Sequence, residues 1–217
     1  MTLILLLYPL LFAMLMVTCY CKGWKRWHTV TKTATSAVFV AAAVAAGNST
    51  DSYFQFMLAG LLLCLLGDFF LAKAKSNTKT PWFFLGGGAF FFAHVVFIAG
   101  LSRLDPLSAI SFLLPVSMVA LVLLLSWMGI LRAGKLLPLV GIYIFFVSML
   151  SSKSIGLFLL NPASTRGILA MVGAILFCIS DLIILFILFR EKPHPALTFV
   201  NLLTYYLATM LLALSVG

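Results

Sequence analysis

Almost the whole chain is written in long apolar runs broken by short polar or turn-forming stretches. A helix needs about 20 mostly apolar residues to cross a hydrocarbon core about 30 Å thick. Runs of roughly that length lie near 2–20, 33–47, 54–72, 82–101, 107–131, 135–152, 167–189 and 196–216. The pattern predicts an all-α integral membrane protein, a bundle of eight transmembrane helices forming a single domain over 1–217. The second run is short and Ala-rich. The fifth is long and contains Pro115, which predicts a kink or a tilt. No connecting stretch has room for a soluble domain.

Composition agrees with the pattern. Of 217 residues, 64% are hydrophobic and 9% charged, against about 25% charged in a soluble domain. The pI of 9.7 suits a nucleic-acid binder, but 14 basic and 5 acidic side chains cannot clothe a soluble globule, so nucleic acid is excluded as a partner. No basic residue precedes the first run, so it lacks the n-region of a cleaved leader and reads as a retained span. Cys19, Cys21, Cys64 and Cys178 show no C-x-x-C spacing and read as small buried hydrophobes. With three histidines, one of them (His194) in a loop, no metal site is expected.

Charge orients the bundle. Lys22, Lys25, Arg26, Lys32, Lys73, Lys75, Lys79, Arg132, Lys135, Arg190 and Lys192 fall on the odd-numbered loops, while Arg103, Lys153 and Arg166 fall on the even ones. By the positive-inside rule the odd loops are cytoplasmic and both termini lie outside. The bacterial inner membrane is the expected location.

Two carboxylates remain inside spans, Asp68 in the third and Asp181 in the seventh. Each charge costs about 2.5–3.5 kcal/mol on insertion scales, so such residues usually face the bundle interior. At 1.5 Å per residue, Asp68 lies ~6 Å and Asp181 ~12 Å from the cytoplasmic span ends, and Asn201 in the eighth span ~8 Å. His94 is deeper, with Tyr143 and Tyr205 between these levels. If the aspartates share a site, their spans are neighbours. Packing against a neighbouring helix, or pairing with a loop lysine such as Lys73, is the plainer reading of these groups. Gly60 and Gly173 each precede an aspartate by eight residues. They read as close helix contacts, and the shared context allows a four-plus-four duplication.

Several segments together resemble the YhhN-like lysoplasmalogenase family. Gly67-Asp68-Phe69-Phe70-Leu71 is similar to its G-D-x-x-L motif, and Gly88-Ala89-Phe90-Phe91-Phe92-Ala93-His94-Val95-Val96-Phe97 to its G-x-x-x-F-x-x-x-H motif. The stretch from Gly173 through Ser180-Asp181 resembles G-A-x-L-F-x-x-S-D, and Tyr205-Tyr206-Leu207-Ala208 the closing aromatic segment. The resemblance runs from about Lys32 to the C-terminus. Lys32-Thr33, Phe97 and Thr209 stand where relatives often have Lys-Pro, Tyr and Gln, departures that bear on substrate detail more than on reaction class.

The resemblance implies an eight-span hydrolase that cleaves the vinyl-ether bond of lysoplasmalogens. Its products are a fatty aldehyde and glycerophosphocholine or glycerophosphoethanolamine. Partners would be a lysophospholipid substrate and membrane lipids, and no cofactor is required. Protonation of a vinyl-ether carbon needs a general acid, and a second carboxylate stabilises the cation and steers water. The sequence does not order these roles. The deeper position of Asp181, farther from lysines, favours it as the acid and Asp68 as base or stabiliser. His94, Tyr143, Asn201 and Tyr205 are candidate substrate contacts, and Lys32 a candidate partner of the head-group phosphate. The alternative is a proton- or cation-coupled transporter using the same aspartates.

Overall fold

The computed structural model describes residues 2–75, 77–191, 194 and 196–217. Lys192 and the side chain of Lys22, both counted toward the basic face, lie outside what is described. Eight helices among the described residues are long and apolar enough to span a membrane. They are α1 (Thr2–Tyr20), α2 (His28–Ala46), α3 (Ser52–Ala74), α4 (Pro81–Leu104), α5 (Leu113–Trp127), α6 (Leu137–Leu160), α7 (Thr165–Phe189) and α8 (Ala196–Leu214).

Local chemistry sets their ends. Asp51 caps α3 by accepting the Tyr53 N–H at 2.9 Å, and Ser164 caps α7 by accepting the Gly167 N–H at 3.3 Å. Pro81 opens α4 and Pro138 sits in the first turn of α6, where a missing N–H costs no helical bond. Pro115 has the same role in α5. It lies in the first turn, where its missing N–H breaks no helical hydrogen bond. That span is also shorter than its apolar run, because the chain turns at Gly129 (φ 73°) after Trp127.

Two spans run five or more residues past one end of their apolar runs. α2 begins at His28 rather than at 33, which places Lys32 inside a helix. α6 continues to Leu160, past the point where Ser148, Ser151, Lys153 and Ser154 lower the hydropathy. Lys153 is therefore not a loop residue. It is fully buried, with Nζ 2.5 Å from Asp105 Oδ2 and 2.9 Å from the Pro106 carbonyl. Gly156 makes this approach possible, since a Cβ there would sit 2.7 Å from the Asp105 carboxylate. Nearby on the same face, Arg166 pairs with Asp51 at 3.0 Å and lies over the Tyr53 ring.

The helices close into a ring. In order, α2, α3, α4, α6, α7 and α8 each pack on the next, and α8 returns to α2. α1 packs outside on α2 and α5 outside on α6. Shifting every helix number by four reproduces these packing partners, apart from a small α3–α8 contact that α7 and α4 do not match, so the two sets of four helices are arranged alike. An even-numbered repeat keeps the same direction in both halves, as in parallel transporter repeats. Gly60 supports the match by packing on Phe97 of α4, as Gly173 packs on Ala208 and Leu212 of α8. Both glycines are the close contacts that their spacing suggested.

Apolar side chains fill the ring and also cover its exterior. Phe39, Tyr53, Phe97, Phe177 and Tyr206 are buried, whereas Leu3, Ile110 and Trp127 are widely exposed. An apolar exterior is the surface a hydrocarbon solvent selects. Cys64 and Cys178 are buried as expected, while Cys19 is half-buried and Cys21 exposed.

Candidate active site

Asp68 lies six residues before the end of α3 and Asp181 eight before the end of α7, depths of ~9 and ~12 Å from the same face. Asn201 enters at ~8 Å along α8 from that face. α3 and α7 are not neighbours, contrary to the sequence expectation. They hold corresponding places in the two halves and share no extended interface among the described residues. Their aspartates nevertheless line one cavity.

Each aspartate is held from two directions. Asp68 is fully buried. Its Oδ2 accepts hydrogen bonds from Ser36 on α2 at 2.5 Å and from Tyr205 on α8 at 2.6 Å. Its Oδ1 pairs with the Lys32 ammonium on α2 at 3.1 Å. The lysine partner is thus Lys32, not Lys73, whose ammonium lies over the rings of Phe69 and Trp82. Asp181 Oδ2 accepts from the Tyr143 hydroxyl on α6 at 3.1 Å and faces His94 Nε2 on α4 at 3.5 Å. Each carboxyl is therefore gripped by the preceding helix of its own half and by the last helix of the other.

The His94 ring is fixed from behind. Its Nδ1 lies 2.7 Å from the Phe90 carbonyl, which can only accept, so the Nδ1 proton is committed there. Nε2 is buried without a hydrogen-bond partner among the described residues. Among the described residues it faces the Asp181 carboxyl at 3.5 Å, a group that in its protonated form would be a donor placed to satisfy it. Phe90, Phe177 and Tyr205 form an edge-to-face cluster with centroids 5.4–6.3 Å apart, which reaches Asp68 through the Tyr205 hydroxyl and the His94 ring through Phe177.

The cavity has a volume of about 500 Å³. It opens at the face where α2, α4, α6 and α8 begin, with His28, Lys75 and Phe189 near the mouth. Lys32, Asp68, Tyr143, Asp181, Asn201 and Tyr205 supply its polar wall. His94 lies behind Asp181 rather than on the cavity surface. Asn201 uses its amide to donate to the Ser180 carbonyl at 2.7 Å and hydroxyl at 3.0 Å. That arrangement staples α7 to α8 beside Asp181.

Sequence reasoning gave no site role to five residues that build it. Ser36 was legible in principle, since it follows Lys32 by four residues and shares its helix face. Gly87 and Gly88 form part of the cavity wall, where a Cβ would meet no atom within 4 Å. Gly88 opens the segment that resembles the G-x-x-x-F-x-x-x-H motif, but nothing in the run Gly86-Gly87-Gly88 marks it as a cavity wall. Phe90 and Phe177 lie within the motif segments of α4 and α7, but nothing in the sequence marks them as the rings that pack beside the carboxyl groups.

Fold and site together define a multi-pass membrane protein with two differently partnered carboxyl groups on one internal cavity. The chain belongs to the YhhN family, whose profile matches residues 27–216. The match covers α2 to α8 and leaves out α1. No curated protein and no solved structure matches the chain.

Proposed function

We propose that the protein is a membrane-embedded hydrolase of the vinyl-ether bond of lysoplasmalogens, releasing a fatty aldehyde and a glycerophospho-alcohol. Family membership supports the reaction class. The observation that carries the reading is the unequal pair of carboxyl groups on one cavity. Asp68 has a lysine and two hydroxyl donors, a setting for a carboxylate. Asp181 has a tyrosine and an imidazole acceptor, a setting for an acid.

In this mechanism Asp181 gives its proton to the alkene carbon distal to the ether oxygen. The C=C electron pair forms the new C–H bond, and positive charge spreads over the adjacent carbon and oxygen. Water attacks that carbon, and Asp68 receives the water proton. The hemiacetal hydroxyl returns a proton to Asp181 as its C=O bond forms, and the bond to the glyceryl oxygen breaks with the electron pair on that oxygen. Asp68 gives that oxygen the proton taken from water, so the aldehyde is released and both carboxyl groups regain their starting states. One water is consumed. General acid catalysis of this kind contributes ~10²–10⁴-fold. Tyr143 and Tyr205 orient the two carboxyl groups, and His94 holds Asp181. The apolar remainder of the cavity suits an alkenyl chain, and its volume falls within the range of about 300–1,000 Å³ common for ligand pockets. The basic bias of the loops at the mouth supports a cytoplasmic opening.

The test is incubation of purified protein in detergent micelles with a lysoplasmalogen and with its ester-linked counterpart, reading aldehyde. Aldehyde should appear from the vinyl ether alone. Micelles support no ion gradient, so turnover there also separates hydrolysis from transport. Absence of aldehyde from a folded protein overturns the reading.

A further inference from the structure

The two oxygens of Asp68 are not equivalent. Oδ2 already accepts two hydroxyl protons, from Ser36 and Tyr205. Oδ1 has no hydrogen-bond partner among the described residues other than its ion pair with Lys32, at 3.1 Å. The oxygen available to take a proton from water is therefore the one the lysine covers. Lys32 is also part of the cavity wall, and its side chain is 12% exposed against 1% for Asp68. Its ammonium is a flexible point charge with three donors, able to exchange one anion for another by rotating its stem.

We propose that Lys32 is shared between two anions, Asp68 Oδ1 in the empty site and the phosphate of a lysolipid in the filled one. This rests on the hydrolase reading for the identity of the lipid. The substrate phosphate draws Lys32 off the carboxylate and exposes Oδ1 as the base, so the head group switches on the catalytic carboxylate. A lipid lacking phosphate would enter the apolar cavity but leave Asp68 covered.

The device makes an unusual demand on binding. If Asp68 competes with the ligand for Lys32, removing the carboxylate charge should strengthen phosphate binding. Asp68→Asn is nearly isosteric and leaves the ammonium without its partner. Binding is measured in nanodiscs with 1-O-hexadecyl-glycerophosphocholine, whose saturated ether cannot be cleaved, with 1-O-hexadecylglycerol, and with glycerophosphocholine alone. Asp68→Asn should bind the first about tenfold more tightly than wild type, on the order of 1.4 kcal/mol. Its affinity for the phosphate-free ether should be unchanged. Glycerophosphocholine alone should bind far more weakly, because the chain fills the apolar wall.

The double variant Lys32→Met/Asp68→Asn removes both charges together, so it avoids a buried unpaired ion and should fold. It should lose the gain. The proposal fails if Asp68→Asn binds the phosphorylated ether no more tightly than wild type, if the gain persists without Lys32, or if the phosphate-free ether gains equally. These readings need no turnover. A failure here with aldehyde still released from lysoplasmalogen removes the switch and leaves the hydrolase, and the reverse outcome removes the hydrolase alone.

Discussion

His94 and Asp181 meet across two helices that the sequence separates by more than eighty residues, with Nε2 3.5 Å from Oδ2. The other face of the same imidazole is tied to the Phe90 carbonyl at 2.7 Å, so the ring can neither rotate nor offer Nδ1 to another partner. Its counterpart in the other half is Tyr205 on Asp68 at 2.6 Å. A histidine in one place and a tyrosine in the other turn two equivalent positions into unlike ones: one invites a proton onto the carboxyl, and the other donates a proton to it. That asymmetry is the basis for the proposed assignment of acid and base.

The carboxyl pair gives the most direct expectation. Asp181→Asn and Asp68→Asn each keep shape and polarity, so both proteins should elute as folded monodisperse species. Turnover of lysoplasmalogen should fall by ~10²-fold or more in each. The double variant should be little worse than the worse single, because groups acting on one transition state are not additive. A folded Asp181→Asn protein with near-normal hydrolysis sinks the mechanism.

The glycine run tests the cavity. Gly87 and Gly88 have open space where a side chain would begin, while a Cβ at Gly86 would sit 2.7 Å from Leu71. Gly88→Leu should abolish turnover by filling the wall. Its melting temperature should hold or rise, since replacing a helical glycine contributes up to about 1 kcal/mol. Gly86→Leu should instead lower the melting temperature. Full activity in Gly88→Leu means that the substrate lies elsewhere.

At the opposite face the buried ion pair should respond unequally to its two partners. Lys153 is fully buried, whereas the Asp105 side chain is 21% exposed. Asp105→Ala strands a buried ammonium and should cost about 3–5 kcal/mol. Lys153→Met leaves a carboxylate that water can reach and should cost less. Thermal unfolding of the two variants in one detergent decides the order, and equal losses would rule out burial as the cause.

Orientation is open to chemical labelling. Lys75 and Arg132 are exposed on the face of the cavity mouth, and Ser49 and Leu107 are exposed on the other. Single cysteines at the first two positions, in a protein lacking Cys21, should react with an impermeant maleimide only from the cytoplasm. Cysteines at the second two should react only from outside. The reverse pattern at two sites inverts the bundle and moves the mouth to the outer leaflet.

The sequence by itself determined the class, the number of spans and the two carboxylates. Lipid imposes a minimum apolar length on each helix and makes every intramembrane charge conspicuous, so both signals survive without any knowledge of packing. The ordered motifs around Asp68, His94 and Asp181 likewise pointed to the family, because they are local strings. What only the tertiary structure decided is lateral: that α1 and α5 stand outside a closed ring, that α3 and α7 are not neighbours, and that Lys32 rather than Lys73 covers Asp68. Helices in lipid gain little hydrophobic energy by choosing one neighbour over another, and their order depends on small residues and a few polar contacts. Lys153 illustrates the limit. Hydropathy ended α6 before it, and only the carboxylate of Asp105, 48 positions earlier in the chain, lets that lysine remain inside the helix.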